Sequence, residues 1–167
     1  IVFSPSLHPS LWENPEQMKQ QTQRALSLCE SGIVKMDSTE LVCLMDEPDI
    51  EKAAAHLMVQ YHPRVLLTMI EGKGCMIRSV YGDILIPGFP AETSKEAVRG
   101  DIFTGAFLSR LASNGKSLEK CSIGDIASCV IFAHAVSALT LERAALPSLE
   151  EAETFLRKCL FKRIYHD

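Results

Sequence analysis

Arg64-Val65-Leu66-Leu67-Thr68-Met69-Ile70 is the stretch on which the fold turns. After Arg64 it carries no charge and a single hydroxyl, and its residues are Leu-rich and β-branched. It is too short for an ordinary helix and too uniformly apolar for a strand with one wet face, so it reads as a strand buried on both sides in a parallel sheet. Downstream, Gly72-Lys73-Gly74 turns the chain into Cys75–Val80, and Tyr81-Gly82-Asp83 turns it again into Ile84-Leu85-Ile86, which predicts a hairpin. Upstream lie a helix over about Asp49–Gln60 and another holding Glu40, Leu41 and Leu44, with Ser38 as its cap. Before these come the strand Ile33-Val34-Lys35, a helix from Pro15 to about Leu28, the polar turn Ser4–Pro9 and the strand-like Ile1-Val2-Phe3.

Beyond the hairpin, Pro87–Lys95 reads as a loop. A long helix is predicted from near Gly100 to about Ser113, where Asn114-Gly115 stops it. Ile123–Leu141 is an apolar, Ala-rich helix. Ser148 and Glu151 have the spacing of a capping box for a last helix through about Leu160. Strands alternating with helices predict a layered α/β fold with a mostly parallel sheet. No repeat or linker divides the chain, so residues 1–167 read as a single domain.

Composition narrows the function. A net charge of −4 without clustered Lys and Arg excludes a broad nucleic-acid footprint. No unbroken apolar run approaches the roughly 18 residues of a membrane span, and the start has no signal-peptide pattern. The chain opens directly on a strand, which predicts a piece of a longer protein. Its six cysteines form no C-x-x-C pair and read as buried free thiols of a reducing, cytoplasmic compartment. His8, His56, His62, His134 and His166 lack a zinc spacing. A P-loop, a nucleophile elbow and a dinucleotide-binding glycine motif are all missing.

The segment that carries chemistry is Glu96-Ala97-Val98-Arg99-Gly100-Asp101-Ile102-Phe103-Thr104-Gly105-Ala106-Phe107-Leu108. A loop feeding the start of an apolar helix offers free backbone amides and a partial positive charge, a ready anion site. An Asp there has two readings. It can cap the helix, or it can take a proton from an alcohol beside a bound phosphate.

This segment resembles the Gly-Ala-Gly-Asp signature of ribokinase-like (PfkB-type) sugar kinases. The resemblance implies that Asp101 is the catalytic base and that the backbone of Val98, Arg99 and Gly100 forms the anion hole for the transferred phosphoryl group. It extends over nearly the whole chain. Val2–Trp12 is similar to the family's Phe-Asp-Pro-Asn-Leu-Arg-Pro-x-Leu-Trp, and Pro147–Leu156 to its closing helix. Asp37-Ser38-Thr39-Glu40 is similar to its Asn-x-x-Glu segment, implying that Asp37 and Glu40 organise Mg2+ through water. Thr68–Gly74 resembles its nucleotide loop and Ala133–Leu139 its adenine helix, implying nucleotide contacts from Thr68, Gly72, Gly74, His134 and Ser137. The resemblance also implies a layered α/β/α ribokinase-like fold whose N-terminal half and lid lie outside this chain. It would bind ATP, Mg2+ and, as a further candidate, a monovalent cation.

The departures fall at functional positions. Val98 and Arg99 replace a Gly and an Ala, and a β-branched residue resists the positive φ that glycine tolerates. Ser4, Ser6 and His8 stand for Asp, Asn and Arg, Asp37 and His134 each stand for an Asn, and Ile70 stands for a loop Gly. Two readings stay open: an ATP-dependent sugar kinase, and a non-catalytic nucleotide-binding or scaffolding relative. Either way the isolated chain is expected to be inactive. The expected partner is a sugar or related alcohol, with no nucleic acid and no membrane, and with homodimerisation of the longer protein through its lid.

Overall fold

The computed structural model describes residues 1–5, 7, 12–89 and 96–165, apart from the side chains of 96–99 and 160–165. The chain forms two compact units, Ile1–Pro87 and Gly88–Asp167. The first runs β1 (Val2–Phe3), α1 (Pro15–Leu26), β2 (Ile33–Asp37), α2 (Ser38–Met45), α3 (Ile50–Tyr61), β3 (Val65–Ile70), β4 (Gly74–Ser79) and β5 (Gly82–Pro87). The five strands lie side by side in chain order. β1, β2 and β3 are parallel, with Phe3 beside Val34 and Val34 beside Leu66. β4 and β5 are antiparallel to their predecessors.

The α/β class is as expected, and the sheet is parallel through β3 and antiparallel beyond it, where the sequence predicts a hairpin. The reason lies in the connections. A parallel return needs a crossover of a dozen residues or so, and α1 and the α2–α3 pair supply two. The short turns after Ile70 and Ser79 permit only hairpins. β3 is buried as expected, with Val65, Leu66, Leu67 and Thr68 all shielded from solvent. Leu66, Val34 and Met36 pack with Leu41, Ala54 and Leu57 from the two covering helices.

Helix starts follow local rules. Asn14 caps α1, its side chain accepting the Glu16 amide, and Pro15 occupies the first position, where a missing N–H costs nothing. The cap of α2 is Asp37 and not Ser38. Asp46 and His62 close α2 and α3 in the left-handed region.

The second unit comprises α4 (Glu96–Ser113), a short 3-10 turn (Leu118–Lys120), α5 (Ile123–Arg143) and α6 (Leu149–Tyr165). Gly115, at φ 67°, ends the run after α4 as predicted. Capping boxes open α5, through Ser122 and Asp125, and α6, through Ser148 and Glu151. Phe132, Val136 and Leu139 of α5 pack with Ala152 of α6, flanked by Ile102 and Ala106 of α4. By length and composition α5 is apolar enough to cross a membrane, which a search for unbroken apolar runs misses because Asp125, His134 and Ser137 interrupt it. As in the core helix of a globular protein, 67% of its most apolar stretch is buried.

Candidate functional site

Asp101 sits on α4, but not where the sequence places it. α4 begins at Glu96 and not near Gly100, so Asp101 lies in the second turn and is no N-cap. Ala97, Val98 and Arg99 contain nothing that breaks a helix, and Ala and Arg favour one. The replacement of Gly-Ala by Val98-Arg99 thus lets the helix extend backwards. This bears on the expected anion hole. Only the first few amides of a helix lack an intrahelical acceptor. Val98 lies within that turn, whereas the Gly100 amide donates back along the helix. The Gly100 carbonyl also accepts the Thr104 hydroxyl at 2.8 Å. The Asp101 side chain is exposed and makes no hydrogen bond or ion pair with another described residue. Further along the helix, Phe103 and Phe107 anchor α4, their rings stacked with centroids 6.4 Å apart.

Asp37 and Glu40 form a reciprocal pair at the carboxyl end of β2. Asp37 Oδ1 accepts the Glu40 amide at 2.7 Å, and Glu40 Oε2 accepts the Asp37 amide at 2.8 Å. Glu40 Oε1 accepts a third amide, from Leu7, at 2.8 Å. Burial pushes the Glu40 carboxyl up from its usual range, against the downward pull of the Leu7 and Asp37 amides. Both carboxylates are thus engaged with backbone, and among the described residues no three His, Cys, Asp or Glu side chains converge as a metal site. The pair does not by itself supply the several oxygens a hard cation takes from protein.

The expected nucleotide contacts divide between the two units. In the first, Thr68 is fully buried in β3, and Gly72 and Gly74, at φ 69° and 124°, shape the turn into β4. A side chain at Gly72 would meet open space, so the constraint there is conformational only. In the second, Ser137 and His134 lie one turn apart on α5, both buried, with the His134 ring edge-on to Phe103 at 5.1 Å. The Thr68 and Ser137 hydroxyls have no hydrogen-bond partner among the described residues. An unpaired buried hydroxyl costs about 1–3 kcal/mol, so each of them leaves a polar demand that a ligand or water can meet. Of the other positions singled out from sequence, Ser6 and His8 and the side chains of Val98 and Arg99 fall outside the described residues.

Sequence reasoning missed the Leu7–Glu40 bond, because one partner is a backbone amide 33 residues away and leaves no mark in the residue pattern. It also missed the packing of Phe103 on His134, which only the pairing of α4 with α5 brings about.

The comparisons agree with the geometry at the level of fold and family. Residues 2–152 match the model of the pfkB family carbohydrate kinases, and the chain belongs to that family. It is 28% identical over 164 residues to fructokinase-2 of Solanum lycopersicum, covering 94% of this chain and 48% of that protein. The chain spans about half the length of the curated relatives it matches. Among solved structures, a fructokinase double mutant from Vibrio cholerae O395, bound to fructose, ADP and potassium ion, aligns with a TM-score of 0.79 at 22% identity over 93% of this chain and 49% of that one. The ribokinase of Thermotoga maritima aligns with a TM-score of 0.64 at 24% identity over 93% and 48%. The fold is therefore ribokinase-like.

Proposed function

We propose that the whole protein transfers the terminal phosphoryl group of ATP to a sugar hydroxyl, and that this chain carries the base. The observation that supports this reading most directly is the Asp101 carboxylate, exposed on α4 and engaged by no described neighbour. A carboxylate so placed can accept the hydroxyl proton as the sugar oxygen bonds to the γ-phosphorus and ADP departs. Thr68, Gly72 and Gly74 in the first unit, and His134 and Ser137 in the second, are the candidate nucleotide contacts. Asp37 and Glu40 would organise Mg2+ through water while keeping their amide bonds, and its charge would offset that of the phosphates. The relatives' names make fructose the first sugar to try.

A second reading, a non-catalytic relative, is favoured by one observation: α4 runs unbroken through Val98, Arg99 and Gly100, which withdraws the Gly100 amide from any anion. Asp101→Asn separates the two in the whole protein. As a kinase it should lose about 10²–10⁴-fold in turnover in an ATP-coupled assay, with its melting temperature unchanged. A relative without activity has none to lose, and its stability should not move either, because Asp101 caps nothing. Wild-type protein silent across fructose, ribose and related sugars would sink the kinase reading.

A further inference from the structure

We propose that Glu40 is a positioning residue: its carboxylate clasps the segment after β1 to the start of α2, and it does this instead of ligating a metal ion. The two oxygens are divided between two amides. Oε2 takes the N–H of Asp37 and Oε1 that of Leu7, both at 2.8 Å. Leu7 lies four residues past the end of β1, and Asp37 is the last residue of β2. Because β1 and β2 are parallel, both segments leave the sheet at its carboxyl end. In open α/β sheets that is the end where ligands bind.

The clasp has no visible substitute. Among the described residues of 4–13, the Leu7 amide makes the one hydrogen bond that reaches another element. It is of the stronger, charge-assisted kind. The other end of the clasp is rigid, because the return bond from the Glu40 amide to Asp37 fixes the first turn of α2. Direct ligation of magnesium would compete for these same oxygens, whereas a role through water leaves both amide bonds in place. Among the described residues the carboxylate beside Glu40 is that of Asp37, itself occupied. The spacing of Asp37 and Glu40 is thus explained by a capping box with a third arm.

The inference takes from the proposed function only the view that this end of the sheet faces the substrates. The test is residue-resolved amide hydrogen exchange in wild-type protein, Glu40→Ala and Glu40→Gln, with Mn2+ titrated as the metal probe. Glu40→Ala should speed exchange at Leu7 by about fivefold or more, the worth of one hydrogen bond, while amides of β3 keep their protection. An unchanged Leu7 overturns the proposal. Should the Ala variant not fold, Glu40→Gln decides, since its amide nitrogen cannot accept. Faster exchange at Leu7 or Asp37 supports the clasp, and full protection at both overturns it. Mn2+ affinity should agree within about twofold between wild type and Glu40→Gln, whereas a tenfold loss, about 1.4 kcal/mol, overturns the exclusion of direct ligation. Absence of phosphoryl transfer would leave these exchange results standing, so the clasp and the kinase reading fail separately.

Discussion

Gly32 shows how tightly single residues are fixed at the start of β2. A Cβ placed there would lie 2.7 Å from the Ile1 carbonyl oxygen and 3.0 Å from that of Cys29, both backbone atoms that cannot swing aside. Gly32→Ala should therefore cost about 1–3 kcal/mol of stability, the range for overpacking, measured by urea unfolding. The thiols differ as sharply. Burial pushes the Cys75 thiol up to about 12, while Cys43 is exposed on α2. Iodoacetamide at pH 8 should label Cys43 in the folded protein and spare Cys75, and prompt labelling of Cys75 would show that the sheet opens. The sequence suggests six buried thiols, and the exposure of Cys43 corrects it. Asp101 was legible as a chemical candidate through the likeness of its segment to the family signature, since by itself an acid at a helix start reads equally as a cap. Its setting was not legible, because whether Val98 and Arg99 lie before or inside a helix depends on packing as well as propensity. Likewise the pairing of Asp37 with Glu40 is written in their spacing, while the Leu7 amide that completes it has no letter of its own.

At the scale of elements, side-chain chemistry at the ends proved the most readable feature. Pro15 marks the start of α1, Gly115 the stop after α4, and Ser148 with Glu151 the start of α6, and all three stand as predicted. Ser148→Ala should cost about 1 kcal/mol, as a lost N-cap does. Asp125, in the box of α5, has its carboxyl held well below the usual range, first by Lys116 and then by the Ser122 amide and hydroxyl. A depressed value means that its contribution is fully present above the unfolded carboxylate pKa near about 4 and is lost as the pH falls further. Asp125→Asn should thus melt below wild type at pH 7, and the gap should close as the pH falls below about 4. A gap as wide at pH 2 as at pH 7 would refute that linkage. The start of α4 can be tested by restoring the family's glycine: Val98→Gly weakens a helix by roughly a few tenths of a kcal/mol, so Gly100 should exchange its amide faster. If the kinase reading holds, turnover of the whole protein should rise in step. The antiparallel strands were legible in the glycine-bearing turns at Gly72–Gly74 and Tyr81–Asp83, each too short for a crossover.

For the molecule as a whole, the decisive fact is extent. The chain spans about half the length of the curated relatives it matches. In a coupled assay across common sugars these 167 residues alone should show no robust turnover, because positioning and exclusion of water carry most of that catalysis. Vigorous activity would mean that the substrates need nothing beyond this chain. The α/β class emerged from the whole-chain alternation of helix and strand, a signal that no single weak motif can spoil. The long apolar α5 has a further consequence at this scale. Its apolar surface stays dry only while α4 and α6 lie against it. Lesions in those two neighbours would therefore bare a long oily flank and invite aggregation as well as unfolding.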